Sequence, residues 1–138
     1  MSLRIIDKHT LHSWLLEALA APAGPAAPLA IIDVRDSDFV GGHIMTARNV
    51  PSSRFSAHLP SLHQSLKNTR RVVFHCALSQ QRGPAAAAAY TRYHDMAVAT
   101  TGADADQEIY VLRGGFTEWQ QTYGPDPTVT EDYDARIW

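Results

Sequence analysis

One cysteine, Cys76, stands in the whole sequence, so no internal disulfide framework can form, and a lone thiol suits a reducing compartment. Long apolar runs are missing too: no stretch reaches the ~18 residues that a membrane-spanning helix needs. The opening residues, Met1-Ser2-Leu3-Arg4-Ile5-Ile6-Asp7, lack the basic start and apolar centre of a secretory leader. Cytoplasm, or nucleus, is the location expected on these grounds. Neither sign of charge is in excess: 12 Lys and Arg against 14 Asp and Glu give a net charge of −2, which makes no electrostatic case for nucleic acid. His9 and His12 are near neighbours, but no other ligand type clusters with them, and His58, His63 and His94 are scattered. No metal site is expected.

What the sequence does contain is enough apolar material for a core. At 138 residues and 45% apolar it reads as one domain without internal repeats. Leu3–Ile6 reads as a short strand. Thr10 is placed to cap a helix to about Ala20, with Leu11, Trp14, Leu15 and Leu19 at helical spacing. The segment Ala21–Pro28 is too rich in Pro and Gly for regular structure and is expected to be a surface loop. Leu29–Val34 is a continuous apolar run, the pattern of a strand buried on both faces. A short helix is expected over Asp36–Gly41 and another over 57–67. Arg71–His75 is the expected central strand, followed by a helix from Gly83 to Tyr93 or beyond. Glu108–Leu112 is expected to be the last strand and Phe116–Thr122 the last helix. Residues 125–138 carry two prolines and four carboxylates and end in Ile137-Trp138; they are either disordered or packed back by their aromatic residues. The expected organisation is a domain over 1–124 and a C-terminal tail over 125–138. Strands alternating with helices point to α/β architecture with a parallel sheet.

The most informative stretch runs from Val72 to Pro84. An apolar run ends at Cys76, Arg82 follows six residues later, and alanines fill 85–89. That is strand, tight loop and helix. Such a loop wraps the thiol with backbone N–H groups beside a helix N-terminus and a guanidinium, all of which stabilise a thiolate. The same surroundings suit a tetrahedral oxyanion such as phosphate, arsenate or sulfate.

His75-Cys76-x5-Arg82 resembles the signature of cysteine-dependent phosphatases, in which the thiolate attacks phosphorus and the arginine clamps phosphoryl oxygens. Ile31-Ile32-Asp33-Val34-Arg35-Asp36, then Phe39, Gly42-His43-Ile44, Ala47 and Asn49-Val50-Pro51 resemble the rhodanese-domain pattern. Tyr110-Val111-Leu112-Arg113-Gly114-Gly115-Phe116 and Trp119 resemble the last strand and helix start of the same fold. The matches follow the family's order and span residues 4–123 or so. Loop length separates the branches. From Cys76 to Arg82 there are seven residues, which is similar to the cell-division-cycle dual-specificity phosphatases and the fungal and protozoan arsenate reductases. The family's sulfurtransferases close the loop one residue sooner. Arg82-Gly83-Pro84 also resembles the phosphatase and reductase branch.

The resemblance implies a single rhodanese-like α/β domain, its central, mostly parallel sheet flanked by helices on both faces. It implies no cofactor, and a phosphorylated protein, a small-molecule phosphate or arsenate as substrate. Cys76 would be the nucleophile, with Arg82 and the amides of Ala77, Leu78, Ser79, Gln80, Gln81 and Arg82 as the oxyanion cradle. Ser79 either bonds the thiolate or simply makes the turn. His75 precedes the nucleophile on a strand, so it is expected to point away from the cradle and order the loop. Asp33, Arg35 and His43 are positions that in the family tie the loop-bearing core together. One departure matters: Ala77 and Gln81 stand where the cell-division-cycle phosphatases carry carboxylates, so no loop side chain can protonate a leaving group. Asp36 and Glu118 are the carboxyls that could reach in from neighbouring loops, and substrates with good leaving groups are expected. Arsenate reduction would need a second thiol. With one cysteine in the chain it must come from outside, as glutathione or a glutaredoxin. Two other classes remain: a sulfurtransferase of the thiosulfate:cyanide type, and a non-catalytic rhodanese binding module, which need not keep the nucleophile. Thiocyanate production in excess of phosphate release would mark the sulfurtransferase.

Overall fold

The computed structural model describes residues 3–21, 27–102 and 106–138. Its centre is a five-stranded sheet in the order β1 (Arg4–Ile6), β6 (Glu108–Leu112), β5 (Thr69–His75), β2 (Ala27–Asp33), β4 (Arg48–Asn49). Every neighbouring pair is parallel, so each connection must cross over the sheet. The helices α1 (Lys8–Ala20), α2 (Phe55–Ser65), α3 (Arg82–Thr101) and α4 (Gly115–Tyr123) lie in those connections or after the last of these strands. Alternation along the strands sorts the side chains by face. Ala30, Ile32, Val72, Phe74 and Val111 pack with Phe55 and Leu62 of α2 and Ala86, Ala87 and Tyr90 of α3. Ile31, Val73 and Leu112 pack with Leu11 and Leu15 of α1 and Phe116 and Trp119 of α4. The fold is α/β, with a central parallel sheet and helices on both faces. No helix among the described residues is long and apolar enough to cross a membrane.

Several elements differ from the sequence expectation. Helix α1 is capped by Asp7, whose carboxylate accepts from Thr10 N–H at 2.8 Å; Thr10 is inside the helix because the chain leaves β1 at Ile6 and turns at once. Strand β2 begins at Ala27, within the expected loop Ala21–Pro28, and residues 22–26 of that loop lie outside the described residues. Asp36–Gly41 is a bend and turn, not a helix. Asp38 Oδ1 accepts the Asp36 N–H at 2.9 Å, and Gly41 and Gly42 both take positive φ; short carboxylates that capture their own backbone favour turns over helix. Glu108–Leu112 is not the last strand. Residues 43–44 and 130–131 form a small antiparallel ladder of β3 (His43–Ile44) and β7 (Thr130–Glu131). Residues 125–138 pack back on the domain through that ladder, through Tyr133 hydroxyl donating to Gln120 Oε1 at 2.6 Å, and through Trp138 edge-on to Phe116.

Between α2 and α3 sits a buried histidine pair. His63 Nε2 and His94 Nδ1 are 2.9 Å apart, with 9% and 5% of their residues exposed, and the rings of Tyr90 and Tyr93 pack against them. His94 Nε2 is buried with no hydrogen-bond partner among the described residues. Burial, then the facing His94 ring, push His63 below its ordinary pKa. The unfolded chain therefore takes up this proton first as the pH falls. The contribution of His63 to stability should be complete above about pH 6.5 and be lost below it, toward its lower folded value. A His63→Leu/His94→Leu variant should show a shallower fall in Tm between about pH 7 and pH 5 than the wild type. Parallel curves would mean that other groups set the acid sensitivity.

Candidate active site

Strand β5 delivers Cys76 to the C-terminal edge of the sheet, the usual ligand end of a parallel α/β fold. The thiol is 3% exposed and forms the floor of an open depression of about 290 Å³. Ala77, Leu78, Gln80, Gln81 and Arg82 line the rest of that depression. The loop folds back on the sulfur. Ser79 N–H points at Sγ from 3.2 Å, while Ser79 Oγ accepts the Cys76 N–H at 3.3 Å. Ser79 itself takes φ +54°, a left-handed conformation that turns its amide inward. Helix α3 begins at Arg82 with no side-chain cap and no acidic residue in its first turn. Its N-terminal amides are thus left for an anion at the end of the helix dipole.

The loop is held from outside by the start of α4. Phe116 N–H donates to Cys76 O at 3.0 Å and Thr117 N–H to Ala77 O at 2.9 Å. Such an approach requires glycine just before: a Cβ on Gly115, at φ +55°, would stand 2.3 Å from Cys76 O. His75 is fully buried. Its Nδ1 is 3.0 Å from Cys76 O, and its Nε2, 3.7 Å from Asp33 Oδ2, is within ion-pair distance but has no hydrogen-bond partner among the described residues.

Asp33 and Arg35 form an ion pair with no exposed surface. Arg35 Nη2 reaches Asp33 Oδ2 at 2.7 Å and Gly42 O at 2.8 Å, and the guanidinium lies over Phe116 and Phe39. Burial raises the Asp33 carboxyl, but the facing His75 ring and the Arg35 hydrogen bonds outweigh it, so Asp33 titrates below its ordinary value. His43 is not part of this pair. It stacks on Phe39 and lies 3.4 Å from Glu131 on the β3–β7 ladder.

Arg82 meets two carboxylates. Its Nη1 and Nη2 donate to Asp38 Oδ1 and Oδ2 at 2.8 and 2.6 Å, and Nη1 also reaches Asp36 Oδ2 at 3.2 Å. The Ser52 hydroxyl first, then Ser53 N–H, hold the Asp36 carboxyl far below the usual range, and the Arg82 hydrogen bond lowers Asp38. Asp36 is therefore a carboxylate without a proton to give. Glu118 lines a separate depression of about 250 Å³ with Leu78, Ser79, Gln80 and Arg113. Among the described residues, no carboxyl group lines the depression over Cys76.

With this geometry in view, comparison with known proteins is informative. A family model, the rhodanese-like domain, matches residues 12–122. The chain belongs to the rhodanese-like family. It is 35% identical over 147 residues to the CDC25-like phosphatase YCH1 of Saccharomyces cerevisiae, covering 99% of this chain and 95% of that protein. It is 36% identical over 115 residues to arsenate reductase 2.2 of Oryza sativa subsp. japonica, covering 82% and 85%. The solved structure of Ygr203w, a yeast protein tyrosine phosphatase of the rhodanese family, superposes with a TM-score of 0.80 at 33% identity, covering 100% of this chain and 98% of that one.

Within this rhodanese-like domain the structure brings together Cys76, Ser79, Arg82, His75, Asp33 and Arg35, and sets His43 apart. Sequence reasoning missed Asp38, which grips Arg82, and Gly115, which admits the α4 amides to the loop. Asp36-Ser37-Asp38 carried a signal, since two carboxylates around a serine favour a turn over the helix expected there. Truncating one partner of a buried pair leaves the other charge unmatched, so Arg35→Ala should destabilise the domain by about 3–5 kcal/mol in chemical denaturation. A loss under about 1 kcal/mol would mean that the pair is matched by water.

Proposed function

We propose that this rhodanese-like domain is a cysteine-dependent phosphatase that works through a cysteinyl-phosphate. The observation that carries the reading is the seven-residue loop in which an amide already points at the buried sulfur, at the N-terminus of an uncapped helix. The likeness to the yeast CDC25-like phosphatase along almost the whole of both chains supports it. Cys76 Sγ attacks phosphorus in line, forming the S–P bond as the P–O bond to the leaving group breaks. Arg82 and the amides of Ala77, Leu78, Ser79, Gln80, Gln81 and Arg82 hold the equatorial oxygens, and their hydrogen bonds strengthen as charge gathers there. Water then breaks the S–P bond, releasing phosphate and restoring the thiolate. Asp33, Arg35 and His75 act in this reading through the loop they order, and His43 through the β3–β7 ladder. The substrate is a phosphorylated protein or a small-molecule phosphate.

Among the described residues no carboxyl group lines the depression over the sulfur. Hydrolysis of aryl phosphates should therefore fall steeply in kcat/KM as leaving-group pKa rises. Arsenate should compete, and Cys76→Ser should lower kcat by a factor on the order of 10⁴ or more. Retained turnover in Cys76→Ser would remove the reading, and a flat leaving-group dependence would require a proton donor not identified above.

The likeness to a rice arsenate reductase favours a second activity at the same thiol. Attack of Cys76 on arsenic expels hydroxide and gives a thiolate–arsenic(V) adduct. An external thiol such as glutathione then supplies the second sulfur: arsenic gains two electrons and leaves as arsenite, while the two thiols become a mixed disulfide. A further external thiol frees Cys76. Arsenite should appear only with added thiol, and mass spectrometry should find the mixed disulfide on Cys76. Arsenite formed without external thiol would exclude this scheme, because the chain has no second cysteine.

A further inference from the structure

Arg82 is engaged by two carboxylates. Its two terminal nitrogens meet the two oxygens of Asp38 in parallel, and Asp36 takes a third contact. This is the two-pronged geometry by which a guanidinium takes a phosphate. That end-on edge is filled, while Nε–H and the second Nη2 hydrogen belong to the other edge, so an oxyanion that takes the end-on edge has to displace Asp38.

We propose that Asp38 sets how tightly the loop holds an oxyanion, by holding the end-on edge of Arg82 and offsetting its charge until the oxyanion replaces it. The proposal rests on the reading of the Cys76–Arg82 loop as an oxyanion site. The carboxylates are held from the side of the turn. Asp36 is bonded by the Ser52 hydroxyl at 2.6 Å and by Ser53 N–H at 3.0 Å, and Asp38 Oδ1 accepts the Asp36 N–H at 2.9 Å. The turn that carries them is pinned at its far end. Arg35 donates to Gly42 O, and Asp134 N–H and Trp138 Nε1–H both donate to Gly41 O, at 3.2 and 2.9 Å. Arg82 is one-third exposed, and the hydrogen bonds of its guanidinium all go to these two carboxylates among the described residues.

Two consequences follow from charge. For an oxyanion that takes the end-on edge, apparent affinity is the intrinsic affinity scaled by the fraction of molecules in which that edge is free. In addition, two carboxylates against one guanidinium leave a net negative charge beside the loop, which opposes an incoming anion. Replacing Asp38 with a neutral side chain removes the competitor and part of the repulsion together. Asp38 would thus trade affinity for release, keeping product phosphate from lingering in the loop.

The test measures inorganic phosphate binding by calorimetry in a Cys76→Ser background, which needs no turnover. Adding Asp38→Asn, or Asp38→Ser should the amide variant fold poorly, should tighten phosphate binding about two- to five-fold, the range expected for a partly exposed ion pair. Asp38→Glu should bind phosphate as the parent does. Raising the salt concentration should narrow the gap between Asp38→Asn and its parent, because the contact is screened. Unchanged or weaker binding in the folded neutral variants would overturn the proposal and make Asp38 a residue that orients Arg82 toward the loop. Failure of the underlying phosphatase reading looks different: the enzyme with Cys76 intact would then hydrolyse no aryl phosphate, whatever stands at position 38.

Discussion

The guanidinium of Arg35 has no exposed surface, and the geometry around the cysteine hangs from it. A buried charge is tolerated only when it is paired and its donors are used. Arg35 meets both conditions by reaching back to Asp33 at the end of β2 and forward to the carbonyls of Val40 and Gly42. In doing so it fixes the shape of the turn between them. That turn carries Asp36 and Asp38, which grip Arg82. The faces of Phe39 and Phe116 close over the same guanidinium, and Phe116 supplies the amide that holds Cys76 O. One ion pair thereby couples the two segments that flank the loop, the turn after β2 and the start of α4, without touching the sulfur.

The parts of this arrangement legible in the sequence are those written in local pattern. Val72-Val73-Phe74 gives a strand buried on both faces, and Cys76, Arg82 and the alanines after it give loop and helix, because apolar runs and small residues act through their immediate neighbours. Asp36–Gly41 misleads because its helix-compatible spacing competes with side-chain-to-backbone bonds and two positive-φ glycines that periodicity does not register. Partners far apart in the chain are not legible at all. Arg82 and Asp38 meet across 44 positions, and Trp138 reaches Gly41 across 97. Their meeting is a product of the β2–β5 register and of the way residues 125–138 return to the sheet edge. Gly115 lies between the two cases: the glycine pair is visible, while the need for it appears only when Cys76 O stands where a Cβ would be.

Around the loop, positive and negative elements are separated by role. The amides that face the depression belong to backbone, which cannot swing away, and the helix dipole behind them is fixed by the fold. The positive side chain that lines the depression, Arg82, has built-in carboxylate partners. A site of this kind divides its work: the backbone cradle supplies shape and a permanent pull on the anion, and the side chain supplies an adjustable part. Changes in the turn after β2, or in the C-terminal segment that pins Gly41, would then alter affinity without altering the cradle.

Chemistry at a single thiol narrows what such a site can do with what it binds. Phosphate and arsenate share tetrahedral shape and charge, so the cradle has little basis for choosing between them, and the outcome is decided at the second step. Water must reach the S–P bond for hydrolysis, whereas a thiol must reach the S–As adduct for reduction. The sulfur lies at the base of a depression that is open to solvent and lined by small or neutral side chains at Ala77, Gln80 and Gln81. An attacking water meets little obstruction there, and neither does the sulfur of a small thiol. The same small and neutral side chains leave the loop without a carboxyl to assist a poor leaving group. In the proposed function, breadth toward the second reactant and selectivity for an activated first one would then share an origin in the side chains of this loop.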